Sequence, residues 1–217
     1  VKINERKIGM KHKPHHEKPQ KRKRTLNTPR TRRDHKDRLF CDLFSDKENA
    51  LSLFNAVSGT DYTDLDALEI VTLKDVLYLT MHNDLAVCFH SMLGLFEQQS
   101  SFNPNMPLRG LFYFSREYEG WLARHEKDIY GRTLIQIPAP QYYILYNGTE
   151  EMPERFTYRL SDAFLLPAEG YEWTARVLNI NPGNNLELLE KCKPLKGYMT
   201  LITLIRREQA AGKEITE

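Results

Sequence analysis

Apolar residues recur at two periods along the chain, and the switch between them separates helices from strands. Leu39, Phe40, Leu43 and Phe44 fall at helical spacing. Ser45-Asp46-Lys47-Glu48 then predicts a capping box, in which the Ser45 oxygen caps an early amide and Glu48 reaches back. The helix it opens runs through Leu51, Leu53, Phe54 and Val57 and stops at Gly59. Ile70–Leu73 and Val76–Leu79 predict a strand with an irregularity near Lys74-Asp75. Two more strands follow at 83–90 and 93–100, with the chain reversing near His90 and Ser91.

Asn103-Pro104-Asn105-Met106-Pro107 reads as a loop, and Pro107 suits a first helical turn. A helix from Leu108 to Tyr130 follows, with Leu111, Phe112, Phe114, Tyr118, Trp121 and Leu122 mainly facing the core. Leu134–Ile137 reads as a short strand or extended edge before Pro138 and Pro140. Tyr142–Tyr146 is apolar without alternation, as a strand buried on both faces should be, and Asn147-Gly148 closes it as a turn. Phe156–Leu160 and Trp173–Ile180 predict further strands. Asn184 or Asn185 is placed to cap a helix over 186–192, which Pro194 interrupts before a last helix over 195–211. The order helix, three strands, helix, strand predicts an α/β class bordering on α+β, with a mixed central sheet between helical layers.

Charge divides the chain more sharply than periodicity does. Residues 1–38 hold 15 Lys or Arg against 4 Asp or Glu, whereas the other 179 residues hold 16 against 25. The net charge of +2 is therefore a basic segment followed by an acidic body. Residues 1–34 read as a basic disordered tail, because they have too little apolar surface to offset the entropy of ordering. Lys21-Arg22-Lys23-Arg24 is able to neutralise phosphates, but the simpler reading is a solvated tail or translated sequence upstream of the true start. Residues 35–217 read as one domain whose C-terminus is cut within or before further helices. No stretch approaches the ~20 apolar residues of a membrane span, and no apolar signal segment opens the chain. Cys41, Cys88 and Cys192 are odd in number and scattered, which fits free thiols in the cytoplasm.

The candidate chemistry lies in the hairpin. If the chain folds back at His90-Ser91, Asp84 stands opposite Glu97, and Gln99 shares the Glu97 face by strand alternation. Paired residues on one face lie roughly 5 Å apart at Cβ, a separation at which two carboxylates repel unless a cation lies between them. Hard oxygen ligands select Mg²⁺, with Mn²⁺ as a substitute. The plainer reading of Asp84 and Glu97, a pair of surface acids, fits poorly with strands that are otherwise apolar.

The element order, with Asp84 and Glu97-Gln98-Gln99, resembles the PD-(D/E)XK nuclease superfamily. More closely, the chain is similar to the bacterial recombination-promoting nuclease/putative transposase (Rpn) proteins. The matching pieces are Leu43–Asn49, Asn83-Asp84, Glu97-x-Gln99, Asn103–Arg109, Tyr146-Asn147-Gly148 and Leu178–Asn181, which together cover about residues 37–205.

The resemblance implies a restriction-endonuclease-like core and a Mg²⁺-dependent endonuclease acting on DNA in recombination or mobile-element biology. It implies Asp84 and Glu97 as metal ligands, joined by the backbone carbonyl of Gln98, and Gln99 in the place of the usual lysine. Glu48 is open between the acid that the superfamily's first helix sometimes adds and a capping-box role alone, and Arg109, at a helix start after a polar loop, between a phosphate contact and a surface arginine. Asn83 stands where the superfamily's name has Pro. A Gln orients water but brings no charge, so the competing expectation is a catalytically weak nuclease fold that binds nucleic acid or protein. Arg109, Arg116, Arg124 and Lys127 would offset the acidic body along one helix. Cutting both strands usually takes two active sites, which a homodimer would supply; the sequence leaves the oligomeric state open.

Overall fold

The computed structural model describes the backbone of residues 31–71 and 84–212, and the side chains of 38–71 and 85–212. The basic segment up to residue 30, the expected strand at 76–79, Asn83 and His82 lie outside the described residues. Among the described residues no helix is long and apolar enough to cross a membrane.

Helices α1 (Thr31–Phe44) and α2 (Lys47–Ser58) lead into strand β1 (Leu68–Val71). Strands β2 (Asp84–Phe89) and β3 (Met92–Gln99) form the expected hairpin, and its turn carries His90 at φ 49°. Helix α3 (Met106–Arg124) crosses over to strand β4 (Ala139–Tyr146). Strand β5 (Arg155–Arg159), a 3₁₀ turn (Leu160–Ala163) and strand β6 (Thr174–Asn179) precede α4 (Leu186–Lys191) and α5 (Lys193–Ala210). The six strands form one mixed sheet in the order β1-β2-β3-β4-β6-β5. Strands β3, β4 and β6 run parallel, and β1, β2 and β5 pair antiparallel with their neighbours.

Strand alternation assigns the two faces. Leu85, Val87, Phe89, Phe96, Tyr143 and Leu145 pack under Phe40 and Phe44 of α1, Leu53 and Phe54 of α2, and Leu195, Tyr198 and Ile202 of α5. Ala86, Cys88, Leu93, Leu95, Tyr142, Ile144, Tyr146 and Val177 pack under Met106, Tyr113 and Phe114 of α3. The result is a mixed α/β sandwich with β4 at the sheet's centre, where residues 142–146 are all buried, as a strand covered on both faces requires.

Several local expectations are corrected. The cap of α2 is Asp46, which accepts from the Asn49 amide at 3.0 Å, while the Ser45 hydroxyl instead donates back to the Asp42 carbonyl at 2.7 Å. Helix α3 stops at Arg124, short of Tyr130 and of Lys127. Glu126 takes φ 52°, and the Glu126 and Lys127 amides turn back to the Ala123 and Leu122 carbonyls at 3.2 and 2.9 Å, a Schellman closure. Leu134–Ile137 forms no ladder. It leads into β4, and the Pro138 carbonyl just after it accepts from the Tyr118 hydroxyl at 2.7 Å. Pro140 lies inside β4 near its start, and Pro194 occupies the first turn of α5, where a missing amide costs nothing. Asn185 takes φ 43° and gives α4 no side-chain cap; its side chain bridges the Glu154 and Asn179 carbonyls instead.

Candidate functional site

The parallel strands β3, β4 and β6 all end at one edge of the sheet, at Gln99, Tyr146 and Asn179. Strand β2 runs against β3, so its first residue, Asp84, lies at that same edge. Crevices beyond the carboxyl ends of parallel strands are the usual ligand positions of open α/β sheets. The candidate residues therefore meet where such a fold ordinarily binds.

Asp84 is the cross-strand partner of Glu97. The hydrogen-bond parity of β3 sharpens this relation. The Ser91 and Gln99 carbonyls accept from the Ala139 and Asn147 amides at 2.7 and 3.0 Å, so the odd-numbered carbonyls of β3 face β4. The even-numbered groups, including the Gln98 carbonyl, face β2. Asp84 and Glu97 therefore form a non-hydrogen-bonded pair, the closer of the two antiparallel classes, with Cα atoms about 4.5 Å apart. By register Asp84 shares the α3 face with Glu97; its side chain lies outside the described residues.

Glu97 is 3% exposed, and both its oxygens are engaged. Oε1 meets the Arg109 guanidinium at 2.6 Å, and Oε2 accepts from the Tyr142 hydroxyl at 2.6 Å. Arg109 comes from the first turns of α3. The same Nη2 also donates to the Tyr113 hydroxyl at 2.8 Å, and the guanidinium lies 5.7 Å from the Tyr113 ring centre. Burial disfavours its charge, but the Glu97 carboxylate and Tyr113 more than offset this, so its pKa is raised and the guanidinium stays charged. Gln99 shares this face, and its amide donates to the Ser101 hydroxyl at 3.3 Å.

Gln98 turns to the other face and is 5% exposed. Its amide donates to Asn147 Oδ1 at 2.7 Å, and Asn147 Nδ2 in turn donates to the Tyr198 hydroxyl at 3.4 Å. The Arg206 guanidinium bonds the Asn147 carbonyl and reaches Asn181 Oδ1 at 3.3 Å. A Cβ on Gly148 would stand 2.3 Å from the Tyr146 hydroxyl and 2.6 Å from the Ser100 carbonyl, so only glycine lets this turn close on the end of β3. The Asn147-Gly148 turn thus clamps the strand that carries Glu97 and Gln99.

The structure brings together Asp84 by register, Glu97, Gln99 and Arg109. It does not bring Glu48 to them, since Glu48 is exposed on α2, on the opposite side of the sheet. The expected basic stripe is interrupted as well. Arg109 is committed to Glu97, Arg124 pairs with Glu69 at 3.4 Å, and Lys127 lies beyond the helix. Tyr142 and Asn147 are the contributors that sequence reading placed only in the core and in a turn. The parity of the central strand is the signal for Tyr142, and the polar Asn directly after five buried residues is the signal for Asn147.

Among the described residues no group of three or more His, Cys, Asp or Glu is arranged to hold a metal ion. The oxygen donors that register sets side by side on β2 and β3, the Asp84 and Glu97 positions with the neighbouring Gln98 carbonyl, are hard oxygens of the kind Mg²⁺ and Mn²⁺ take. Comparison with family models, curated proteins and solved structures gave no match.

Proposed function

We propose that the chain is a Mg²⁺-dependent DNA endonuclease of the PD-(D/E)XK type, with a restriction-endonuclease-like core, acting in the cytoplasm in recombination or mobile-element biology. The observation that carries this reading is the Asp84–Glu97 pair, closely spaced and placed at the carboxyl ends of the parallel strands with Gln99 on the same face. The order α2-β1-β2-β3-α3-β4, with β3 and β4 parallel across α3, supports the same core. Cys41, Cys88 and Cys192 form no disulfide with one another, which suits a reducing compartment.

Asp84, Glu97 and the Gln98 carbonyl would hold the cation, with Mn²⁺ able to replace Mg²⁺. When bound, it would polarise a phosphate oxygen and acidify a water. The chain's own residues do the rest. The Tyr142 hydroxyl fixes the rotation of the Glu97 carboxylate. Gln99, with Ser101 behind it, orients a water through hydrogen bonds without adding charge. The Asn147-Gly148 clamp keeps residues 97–99 in register. DNA is the proposed partner, and a homodimer would supply the second site for cutting both strands.

The Glu97–Arg109 ion pair favours a second reading, because it satisfies the acid with no added ion. On that reading the chain is a nuclease fold that binds nucleic acid or protein without cutting. Supercoiled plasmid separates the two. The enzyme nicks it in Mg²⁺ or Mn²⁺ and stops in chelator, whereas the binding module retards it in a gel and leaves it intact.

A further inference from the structure

Resting on the metal-site reading, we propose that Arg109 is the resident counter-ion of Glu97, that it competes with an incoming divalent cation for this carboxylate, and that it couples the cation's arrival to that of a phosphodiester anion.

Three features of the contact make it exchangeable. Arg109 Nη2 is shared between Glu97 Oε1 and the Tyr113 hydroxyl, so the guanidinium keeps one partner if it leaves the acid. The Arg109 side chain is 31% exposed against 3% for Glu97, so the arginine, not the glutamate, has a route to solvent. Tyr142 holds the other Glu97 oxygen at 2.6 Å, so the carboxylate stays oriented without Arg109.

Formal charge then fixes the direction of coupling. Asp84 and Glu97 with Arg109 carry one net negative charge. A divalent cation turns this into one net positive charge, now with a guanidinium beside it no longer neutralised by Glu97. A phosphodiester restores neutrality. Each ligand therefore favours the other, and by linkage the effect is reciprocal. The arginine disfavours the cation alone and favours cation and phosphodiester together, so the site would be filled chiefly on nucleic acid.

Calorimetric titration of the full chain with Mn²⁺ tests this, with and without a short phosphorothioate oligonucleotide that resists cleavage. In the parent protein the oligonucleotide tightens Mn²⁺ binding. In Arg109→Gln, Mn²⁺ alone binds roughly tenfold more tightly and the oligonucleotide adds little, within the range of ordinary coupling energies. Glu97→Gln loses the binding. If Arg109→Gln binds Mn²⁺ no better than the parent while Glu97→Gln still abolishes binding, the exchange is wrong and the metal site stands. If parent and Arg109→Gln both fail to bind Mn²⁺, the nuclease reading falls and the exchange with it. Should Arg109→Gln not fold, ¹⁵N spectra of the parent's arginine guanidinium groups decide the matter. Mg²⁺ should shift and broaden the Arg109 signals as the guanidinium leaves Glu97 for solvent, and unchanged signals at saturating Mg²⁺ overturn the proposal.

Discussion

Glu97 and Arg109 meet at 2.6 Å with the acid almost wholly buried, which makes their contact a structural interaction as well as a feature of the site. Breaking a buried pair by removing one partner leaves a desolvated charge behind, at about 3–5 kcal/mol when both groups are inside. Arg109 is partly exposed, so Arg109→Gln should cost less, about 2 kcal/mol after allowing for solvent screening. Tyr142→Phe removes a hydrogen bond to the same carboxylate and should cost about 1.5–3 kcal/mol. Denaturant unfolding of the single and double variants checks both, and their costs should fail to add because they share Glu97.

Gly110 of α3 lies against the Tyr142 ring. A Cβ there would stand 2.5 Å from two ring carbons. Gly-to-Ala in a helix interior ordinarily stabilises by about 0.5–1 kcal/mol. At Gly110 the overlap should reverse the sign and cost about 1–3 kcal/mol, since the ring cannot move without releasing Glu97. Gly197 in α5 has open space around the same position, so Gly197→Ala is the control and should stabilise. Denaturant midpoints for the two variants should move in opposite directions.

Glu117 on α3 is 5% exposed, and its pKa is raised by desolvation, with Glu69 adding to the rise and Arg124 opposing it. A raised acid pKa means that the folded state binds a proton more readily than the unfolded chain. Folding is then unpenalised below the ordinary value of 4.5 and loses stability as pH climbs from there through the folded-state pKa. Glu117→Gln should raise the thermal midpoint at pH 7, and the gain should shrink toward zero as pH falls below about 4. Cys88 on β2 also faces this cluster, so Cys88→Ser serves to show that the thiol is not the titrating group.

Gln99 carries the test of chemistry without charge. Gln99→Ala should leave Mn²⁺ affinity intact and slow nicking by about 10² or more, the usual cost of losing an oriented hydrogen-bond donor. Gln99→Lys should be tolerated or faster. Initial rates of plasmid nicking, read beside Mn²⁺ binding, separate the two effects.

The hairpin was the most legible part of the sequence, for a physical reason. Two apolar strands joined by a two-residue turn have one register that buries both faces, and that register sets Asp84 against Glu97. The unbroken apolar run of Tyr142–Tyr146 likewise marked a strand covered on both faces. Helix ends were less legible. Ser45 and Asp46 are both good caps one residue apart, and Glu126 closes α3 in a left-handed conformation that sequence patterns assign to glycine. The partners of Glu97 were least legible of all. Tyr142 and Arg109 reach it across 45 and 12 residues of chain through a parallel crossover, and no local pattern reports such a contact. Glu48 does not share a face with Glu97, because its helix packs on the far side of the sheet, a side that helical periodicity alone does not fix.

The most direct test of the account is the nicking of supercoiled plasmid in Mg²⁺ by the parent chain, Asp84→Ala and Glu97→Ala, purified in parallel. The account predicts nicking by the parent, lost in chelator, and none by either variant, because the paired positions on β2 and β3 are then no longer two carboxylates. Nicking by Asp84→Ala equal to that of the parent, or no nicking by the parent in either Mg²⁺ or Mn²⁺, would contradict it.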